Sequence, residues 1–496
     1  MRKSVAISTL CFLTWACATT PNPKQTHPAT SETRTSTSSS AAHRAQEEHK
    51  IQAQKLAPVV DKIIKSILKS NNAWEKLVEL CDDIGHRLSG SKALERAIDW
   101  AVQVMLKDQH NNVKKEPVQV VHWTRGIETA ELLSPRVESL PILGLGGSVG
   151  TPASGITADV VVVENEQELN ALGTKAVGKI VLFNNRMPDY HPEHGSGYGK
   201  TVRFRVHGAR LASEKGAVGV LIRSVTAHSL RSPHTGVMRY GAAKKKIPAA
   251  ALSTEDADLI ARFYERGQKV QVRLTMQANT APDTALSHNV IAELPGREAP
   301  EEIVVIGGHI DSWDAGQGAH DDGAGCVIAM EALSALRKLN LIPRRTIRVV
   351  LWTNEENGLA GAKAYAKAHA SELEQHFAAI ESDSGAFKPI GFGLDLKDND
   401  AEKEVAKNLE IYAQLLNQLR PQRIWTGFGG ADVGPLRAQG VPAMGLRVEG
   451  SKYFNYHHSH ADTLDKVDPQ ELSEGVAAMA AMAYILAEIP SRIDTR

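Results

Sequence analysis

The spacing of hydrophobic residues divides the chain into regions of different structure. Between residues 51 and 108, apolar residues recur every three or four positions, which is the period of helices that bury one face. From residue 118 to 274, short apolar runs and two helical stretches alternate with turn residues, as in a small α/β domain rich in strands. After residue 289, strands and helices alternate up to a closing helix at 469–489.

The alternation in the last region predicts the fold class. Five apolar runs are expected to be strands of one central sheet: 289–293, 303–306, 346–353, 378–380 and 443–448. Helical patterns lie between several of them, at 322–339, 359–370 and 404–419. Strands that alternate with helices favour a mostly parallel sheet covered on both faces. We therefore predict an α/β fold with a mostly parallel central sheet flanked by helices.

The N-terminus has the pattern of an export signal. Arg2 and Lys3 precede an apolar run at 5–16, so residues 1–18 are predicted to be a signal peptide. Cys17 could instead be the lipidated first residue of a bacterial lipoprotein, so a secreted or periplasmic form and a form anchored to the cell envelope both stay open. Residues 19–50 are rich in Ser, Thr and Pro, and we expect a disordered tether there. No later stretch is apolar over about 18 residues, so no transmembrane helix is expected.

Composition adds two exclusions. Lys plus Arg and Asp plus Glu both number 57, so no excess of positive charge indicates nucleic-acid binding. Two of the four cysteines lie in the leader, so a disulfide framework is not expected.

Side chains that bind metals gather where the predicted strands end. The glycine-rich stretch 307–326 follows a strand and contains two histidines and four aspartates: His309, His320, Asp311, Asp314, Asp321 and Asp322. Glu355, Glu356, Asp383 and His458 come after later strands. Ligands of open α/β sheets bind beyond the carboxyl ends of the strands, and His and carboxylates are ligands of zinc. A solvated turn would explain the glycines and aspartates, but not the histidines or their place after a strand.

Four segments resemble the motif blocks of the M28 family of dinuclear zinc peptidases, in the same order. They are GGHIDSWDAGQGAHDDGAG, LWTNEENGLAG, ESDSG and YHHSHADT. The segments GKIVLFNN, GAVGVLIRS and IPAAALS are similar to the protease-associated domain that some members insert. The resemblance covers residues 55–490 and implies a phosphorylase/hydrolase-like zinc exopeptidase fold. It implies a catalytic domain at 51–125 and 280–496, with a small β-rich insert at 126–279.

The resemblance also implies roles for individual residues. Two zinc ions per subunit would be held by His309 and Asp383, by Glu356 and His458, and by Asp321 as the bridge. Glu355 would be the general base, and the carboxylate of Asp311 would orient the His309 imidazole. The family further implies a cis peptide bond between Asp321 and Asp322. His458 is preferred over His457 and His460 because the family pattern is His-x-x-x-Asp-Thr.

The implied function is a zinc-dependent exopeptidase that hydrolyses small peptides, with unblocked dipeptides as substrates and a homodimer as the assembly. Two alternatives are an N-acyl amino acid hydrolase on the same site and a non-catalytic receptor homologue. All five ligands and the base are present, which argues against the receptor. The substrate handle stays open: Arg437 and Arg447 lie near the right strand end, but either could be structural. Residues 232–236 are expected to form a solvent loop, with a lip over the active site as the alternative.

Overall fold

The computed structural model describes residues 35–192 and 194–493. Its helices, in chain order, are α1 Thr35–Ile67, α2 Asn72–Val78, α3 Lys92–Lys107, α4 Glu166–Leu172, α5 Tyr198–Thr201, α6 Arg203–Glu214, α7 Thr254–Glu265, α8 Ala324–Lys338, α9 Ala360–Ala368, α10 Asn399–Ala413, α11 Gly434–Ala438, α12 Tyr453–Tyr456 and α13 Pro469–Glu488.

The strands, in chain order, are β1 Asn111–Val120, β2 Trp123–Thr124, β3 Glu128–Ser134, β4 Glu138–Leu140, β5 Ile142–Gly144, β6 Ile156–Val163, β7 Ile180–Phe183, β8 Gly219–Arg223, β9 Ala249–Leu252, β10 Gln271–Met276, β11 Asn279–Thr280, β12 Ala285–Leu294, β13 Ala299–His309, β14 Arg345–Trp352, β15 His376–Glu381, β16 Pro389–Asp395, β17 Arg423–Thr426 and β18 Ala443–Val448.

One sheet carries the central architecture. Its eight strands run in the order β1-β12-β14-β13-β15-β18-β16-β17. The four middle strands, β14, β13, β15 and β18, are mutually parallel, whereas β12 and β16 pair antiparallel with their neighbours. The predicted parallel sheet is therefore correct for the middle of the sheet, and its flanks are mixed.

Both faces of this sheet are covered, as predicted. Val304 and Ile306 of β13 belong to the core that includes α8 and α13. The alternate residues Ile303 and Val305 belong to the core on the other face, together with Tyr365 of α9. Successive side chains of a strand point to opposite faces, so a continuous apolar strand is buried on both sides.

Strands β16 and β17 were not predicted from the sequence. In β16, glycines at positions 391 and 393 interrupt the apolar run, which weakens the strand pattern. A Cβ at Gly391 would lie 2.0 Å from the carbonyl oxygen of Arg423. The glycine thus permits close contact between these two strands, which the hydrophobic pattern alone does not indicate.

A second sheet is built from the residues predicted for the insert. Its strand order is β4-β3-β10-β6-β7-β8-β9-β5, and all eight strands lie between Glu128 and Met276. The short pair of β2 with β11 joins Thr124 to Asn279. The two ends of the segment that carries the second sheet therefore lie side by side, and the domain boundaries at 126 and 279 stay a prediction.

The structure describes only part of the N-terminal segments that were predicted. The predicted signal peptide and Cys17 lie outside the described residues. Residues 35–50, expected to belong to a disordered tether, are instead helical, because they are the first part of α1. The sequence AAHRAQEEHKIQAQKL at 41–56 is rich in residues of high helix propensity, so the helix extends beyond the apolar pattern. Within the described part of the chain, every helix is too short or too polar to cross a membrane.

Ile328 of α8 tests the packing between the sheet and α13. Its side chain is 1% exposed, and a Cβ at Gly475 of α13 would lie 3.0 Å from its Cδ1. We expect Ile328→Ala to lower the free energy of unfolding by about 2–5 kcal/mol, because it leaves a cavity. Urea unfolding measures this loss. The control is Ile342→Ala, whose side chain is 54% exposed, and a similar loss there would contradict the assignment of the core.

Candidate metal centre

The strand register brings the predicted ligands to one edge of the sheet. His309 is the last residue of β13, and Asp383 follows the end of β15 by two residues. Gly307 pairs with Glu381, so His309 and Asp383 lie equally far past that pair on neighbouring parallel strands. Glu355 and Glu356 follow the end of β14, which pairs with β13 on its other side. The predicted grouping at the carboxyl ends of the strands is therefore what the fold produces.

The loop between β13 and α8 returns the chain to this edge. Gly316 and Gly318 have φ values of 71° and 61°, a region that glycine adopts without steric cost. The buried Arg87 guanidinium donates to the carbonyl oxygens of Ile310, Gln317 and Gly318 at 2.8–2.9 Å. Arg87 thus binds both ends of the loop.

The end of the same loop places Asp321. The implied cis peptide bond between Asp321 and Asp322 is present. The Asp462 carboxylate accepts the backbone N–H groups of His320 at 2.8 Å and Asp321 at 3.2 Å. The Asp322 carboxylate accepts the backbone N–H of His309 at 3.0 Å. These bonds fix the position of Asp321 relative to His309.

Asp321 lies between the two predicted histidine ligands. Its Oδ1 is 3.3 Å from His309 Nε2, and its Oδ2 is 3.2 Å from His458 Nε2. Asp383 Oδ1 lies 3.6 Å from His309 Nε2, and Glu356 Oε2 lies 3.0 Å from His458 Nε2. The five predicted ligands therefore form two groups that share Asp321.

Both imidazoles are held with Nε2 towards these carboxylates. His309 Nδ1 lies 2.9 Å from the carbonyl oxygen of Asp311, and His458 Nδ1 lies 3.2 Å from that of Thr235. A carbonyl oxygen accepts a hydrogen bond from a protonated Nδ1, which leaves the Nε2 lone pair free for a metal. The predicted role of Asp311 needs correction, since its backbone orients His309. Its carboxylate is 3.8 Å from His309 Nδ1 and instead accepts the backbone N–H groups of Glu355 and Glu356 at 3.0 and 3.3 Å.

His457 is the rival of His458. Its Nε2 lies 3.8 Å from Asp321 Oδ2, and its ring stacks on that of His458 with centroids 3.5 Å apart. Donor atoms of Asp321, His457 and His458 lie within 4.8 Å of one another, so this trio could also hold an ion. His458 lies closer to Asp321, at 3.2 Å, and it also contacts Glu356 at 3.0 Å. His460 makes neither contact among those found in the described residues.

The donor set fits metal ions. Four buried polar atoms converge here without a hydrogen-bond partner among the described residues: His309 Nε2, Asp321 Oδ2, Glu356 Oε1 and Asp383 Oδ1. Unpaired buried polar atoms are rare in folded proteins and an ion is one explanation for them. Imidazole nitrogens and carboxylate oxygens together are the donors that zinc accepts.

The electrostatics of the cluster also favour a cation. Burial and the charge of Asp321 raise the pKa of Glu356 to about 7. Burial and the nearby carboxylates raise the pKa of Glu355 well above its usual range. Burial opposes ionisation of Asp321 as well, but His309 and His458 hold its pKa well below its usual range. Bound dications would compensate the repulsion within this group of acids.

Three other side chains of the stretch 307–326, those of Asp314, His320 and Cys326, have partners other than the side chains of the predicted ligands. Asp314 accepts from the Arg125 guanidinium at 2.5 and 2.9 Å. His320 stacks on Phe387 with ring centroids 4.4 Å apart. The Cys326 thiol donates to the carbonyl oxygen of His309 at 3.1 Å. These contacts stabilise the loop that carries the centre.

The insert contacts the centre directly, which corrects one prediction. Residues 233–236 are buried, whereas residues 232–236 were expected to form a solvent loop. His234 Nδ1 donates to the carbonyl oxygen of His457 at 2.7 Å, and the Thr235 N–H donates to that of His458 at 2.8 Å. Polar groups of this segment pair with the backbone of the His457–His458 loop. Local composition does not reveal such a pairing with a loop distant in sequence.

Comparison with known proteins agrees with the resemblance. Residues 289–484, which include all five predicted ligands, match peptidase family M28. Carboxypeptidase Q of Mus musculus is 42% identical over 84% of this chain and 86% of that protein. Carboxypeptidase Q of Homo sapiens is 41% identical over the same shares. The chain belongs to peptidase family M28.

The fold of this M28 peptidase matches that of a solved relative. The crystal structure of a peptidase M28 precursor from Shewanella amazonensis has a TM-score of 0.83 and 39% identity, covering 89% of this chain and 98% of that one. The prediction of a metallopeptidase of this family is confirmed.

Sequence reasoning missed two residues that support the centre. Arg87 lies in the segment HRLSG, which interrupts a helical pattern and resembles an ordinary turn. His234 lies in the insert, which carries no cluster of ligands. By contrast, Asp462, which also supports the centre, has a signal in the sequence, because it is the aspartate of the His-x-x-x-Asp-Thr pattern that selects His458.

His234 offers a test of the contact between insert and centre. Burial lowers its pKa to about 3, so it is a neutral donor at ordinary pH. We expect His234→Ala to lower zinc affinity or activity about 10-fold, because the loop that carries His457 and His458 loses a support. Titration with a competing chelator and kcat/KM measure the two effects. The matched control is His228→Ala, whose side chain is 68% exposed; an equal loss there would contradict this role.

Proposed function

We propose that this M28 peptidase is a two-zinc exopeptidase that hydrolyses small peptides, with unblocked dipeptides preferred. In this proposal His309 and Asp383 would hold one zinc, Glu356 and His458 would hold the other, and Asp321 would contribute to both. The position of Asp321, with one carboxylate oxygen towards each imidazole at 3.3 and 3.2 Å, is the observation that carries the assignment. When bound, the two ions would lower the pKa of a shared water and stabilise negative charge on the attacked carbonyl oxygen.

Glu355 is the proposed general base. Its backbone N–H is held by the Asp311 carboxylate, and its side chain is only partly buried, unlike that of Glu356. It would accept the proton of the attacking water and pass it to the leaving amine. Glu356, whose carboxylate lies against His458, is committed to the metal. The two neighbouring glutamates therefore divide the work of base and ligand.

Support for short substrates comes from the predicted insert, which contacts the loop that carries His457 and His458. Tyr198 stacks on Phe454 with ring centroids 4.7 Å apart, beside the contacts of residues 233–236 with the His457–His458 loop. The relatives named carboxypeptidase Q also favour an exopeptidase over an endopeptidase. A hydrolase of N-acyl amino acids would prefer N-acetylated substrates to free dipeptides, so one substrate panel separates these functions. A receptor homologue would have no reason to retain Glu355.

Zinc content tests the ligand assignment. The wild-type chain is expected to bind two zinc ions, measured by atomic emission after removal of loosely bound metal. His458→Ala should retain about one, because it removes a ligand of a single ion. His460→Ala is the control and should retain two. A loss of zinc from His457→Ala with none from His458→Ala would reverse the choice between these neighbours.

Turnover tests the base. Glu355→Gln should keep both zinc ions but lower kcat for a dipeptide about 10²- to 10⁴-fold, because the amide cannot accept the water proton. The control is Glu301→Gln, an exposed residue at the far end of β13. Near-normal kcat in Glu355→Gln would exclude it as the base. Full activity after chelation would exclude a metallopeptidase mechanism altogether.

A further inference from the structure

A small cavity adjoins the candidate centre on the side of Asp383. Asp383 and Ser384 line it together with Phe428 and Arg447. Arg447 is the only arginine or lysine that lines this cavity within the described part of the chain. A peptide whose carbonyl is bound at the centre would extend towards either this cavity or the insert.

The strand register aligns Arg447 with two of the predicted ligands. Gly307, Glu381 and Gly445 form one row across the parallel strands β13, β15 and β18. His309, Asp383 and Arg447 each follow that row by two residues. Residues two apart on a strand share a face, and neighbouring strands lie about 4.8 Å apart. Arg447 therefore extends the row of functional side chains by one strand beyond Asp383.

The guanidinium of Arg447 is held in place but not neutralised. Its Nη2 donates to the Phe428 carbonyl oxygen at 3.3 Å, and its guanidinium carbon lies 5.8 Å from the centre of the Phe428 ring. A Cβ at Gly393 would come within 3.1 Å of its Nε. Among the described residues, no carboxylate lies within 4.0 Å of it. A half-buried arginine without a carboxylate partner has donors available for a ligand.

Two other arginines are less suited to this role. Arg437 belongs to α11 and lies at the start of β18, the end opposite to Arg447. It donates to the Asp395 carboxylate and the Leu396 carbonyl oxygen, both at 2.9 Å. It is therefore a structural residue. Arg205 of the insert approaches His458, with Nη1 3.4 Å from Nδ1. That is the side of the imidazole opposite to the metal-facing Nε2, so Arg205 supports the loop.

We propose that Arg447 binds the free C-terminal carboxylate of the peptide substrate, an inference that rests on the proposed function. A guanidinium pairs with a carboxylate through two parallel hydrogen bonds, which sets both position and orientation. In a dipeptide, one residue separates the attacked carbonyl from the free carboxylate, and Asp383 and Arg447 line the same small cavity. Arg447 selects substrates that release a single C-terminal amino acid, as a dipeptide does.

The test compares a dipeptide with its C-terminal amide, using the full-length enzyme loaded with zinc. In the wild type, kcat/KM should favour the free carboxylate. Arg447→Met should raise KM for the free dipeptide about 10- to 100-fold, because a charge-assisted hydrogen bond is lost, and should leave the amide within about 2-fold. Arg447→Lys should give an intermediate KM, since it keeps the charge without the paired donors. Arg437→Lys is the matched control and should retain the wild-type preference.

The outcomes separate this proposal from the one on which it rests. If the wild type cleaves neither substrate, the proposed function fails. If it cleaves both, and Arg447→Met keeps its zinc and the wild-type preference for the free carboxylate, the role of Arg447 is overturned. An equal loss on dipeptide and amide would also overturn it, because a merely structural role affects both substrates. A loss confined to the free carboxylate supports it.

Discussion

The contact of one buried carboxylate, that of Asp321, with two imidazoles is the interaction on which the rest of this structure depends. The Asp321 carboxylate lies 3.3 Å from Nε2 of His309, at the end of β13, and 3.2 Å from Nε2 of His458, in a loop far later in the chain. Burying a charged group is costly unless it is paired. His309 and His458 supply that pairing, while Asp462 fixes the backbone of Asp321 and Arg87 holds the loop before it. A metallopeptidase needs this compact arrangement before it can bind a metal.

The parallel order of the four middle strands explains how a few elements bring the predicted ligands together. Strands β14, β13, β15 and β18 all end at the same edge, so the first residues beyond each strand meet without long excursions of the chain. His309 ends β13, Glu356 and Asp383 follow the ends of β14 and β15, and Arg447 is near the end of β18. A mixed or antiparallel order here would send alternate strand ends to the opposite edge. The parallel order thus places the candidate metal centre and the proposed carboxylate site side by side.

The insert is part of the centre as well as a neighbour of it. The Thr235 carbonyl oxygen accepts from His458 Nδ1, and the Thr235 N–H donates to the His458 carbonyl oxygen. A residue of the loop between β8 and β9 of the second sheet therefore orients a predicted ligand. Loss of a group that orients a metal ligand commonly lowers metal affinity about 10- to 100-fold. The two sheets, which are separate in their hydrogen bonding, are therefore joined functionally at the metal centre.

The α/β class and the alternating strands of the C-terminal region could be predicted from the sequence, which also indicated the candidate residues for the chemistry. This was possible because apolar periodicity is local, and because the M28 motif blocks are short and each follows a strand. Tertiary structure alone decided how those residues are held. Asp311 acts on His309 through its backbone, and His234 approaches from the predicted insert. Arg437 has a carboxylate partner, whereas Arg447 has none among the residues that the structure describes. Each of these depends on contacts between segments far apart in the chain, where local pattern carries no information about distance.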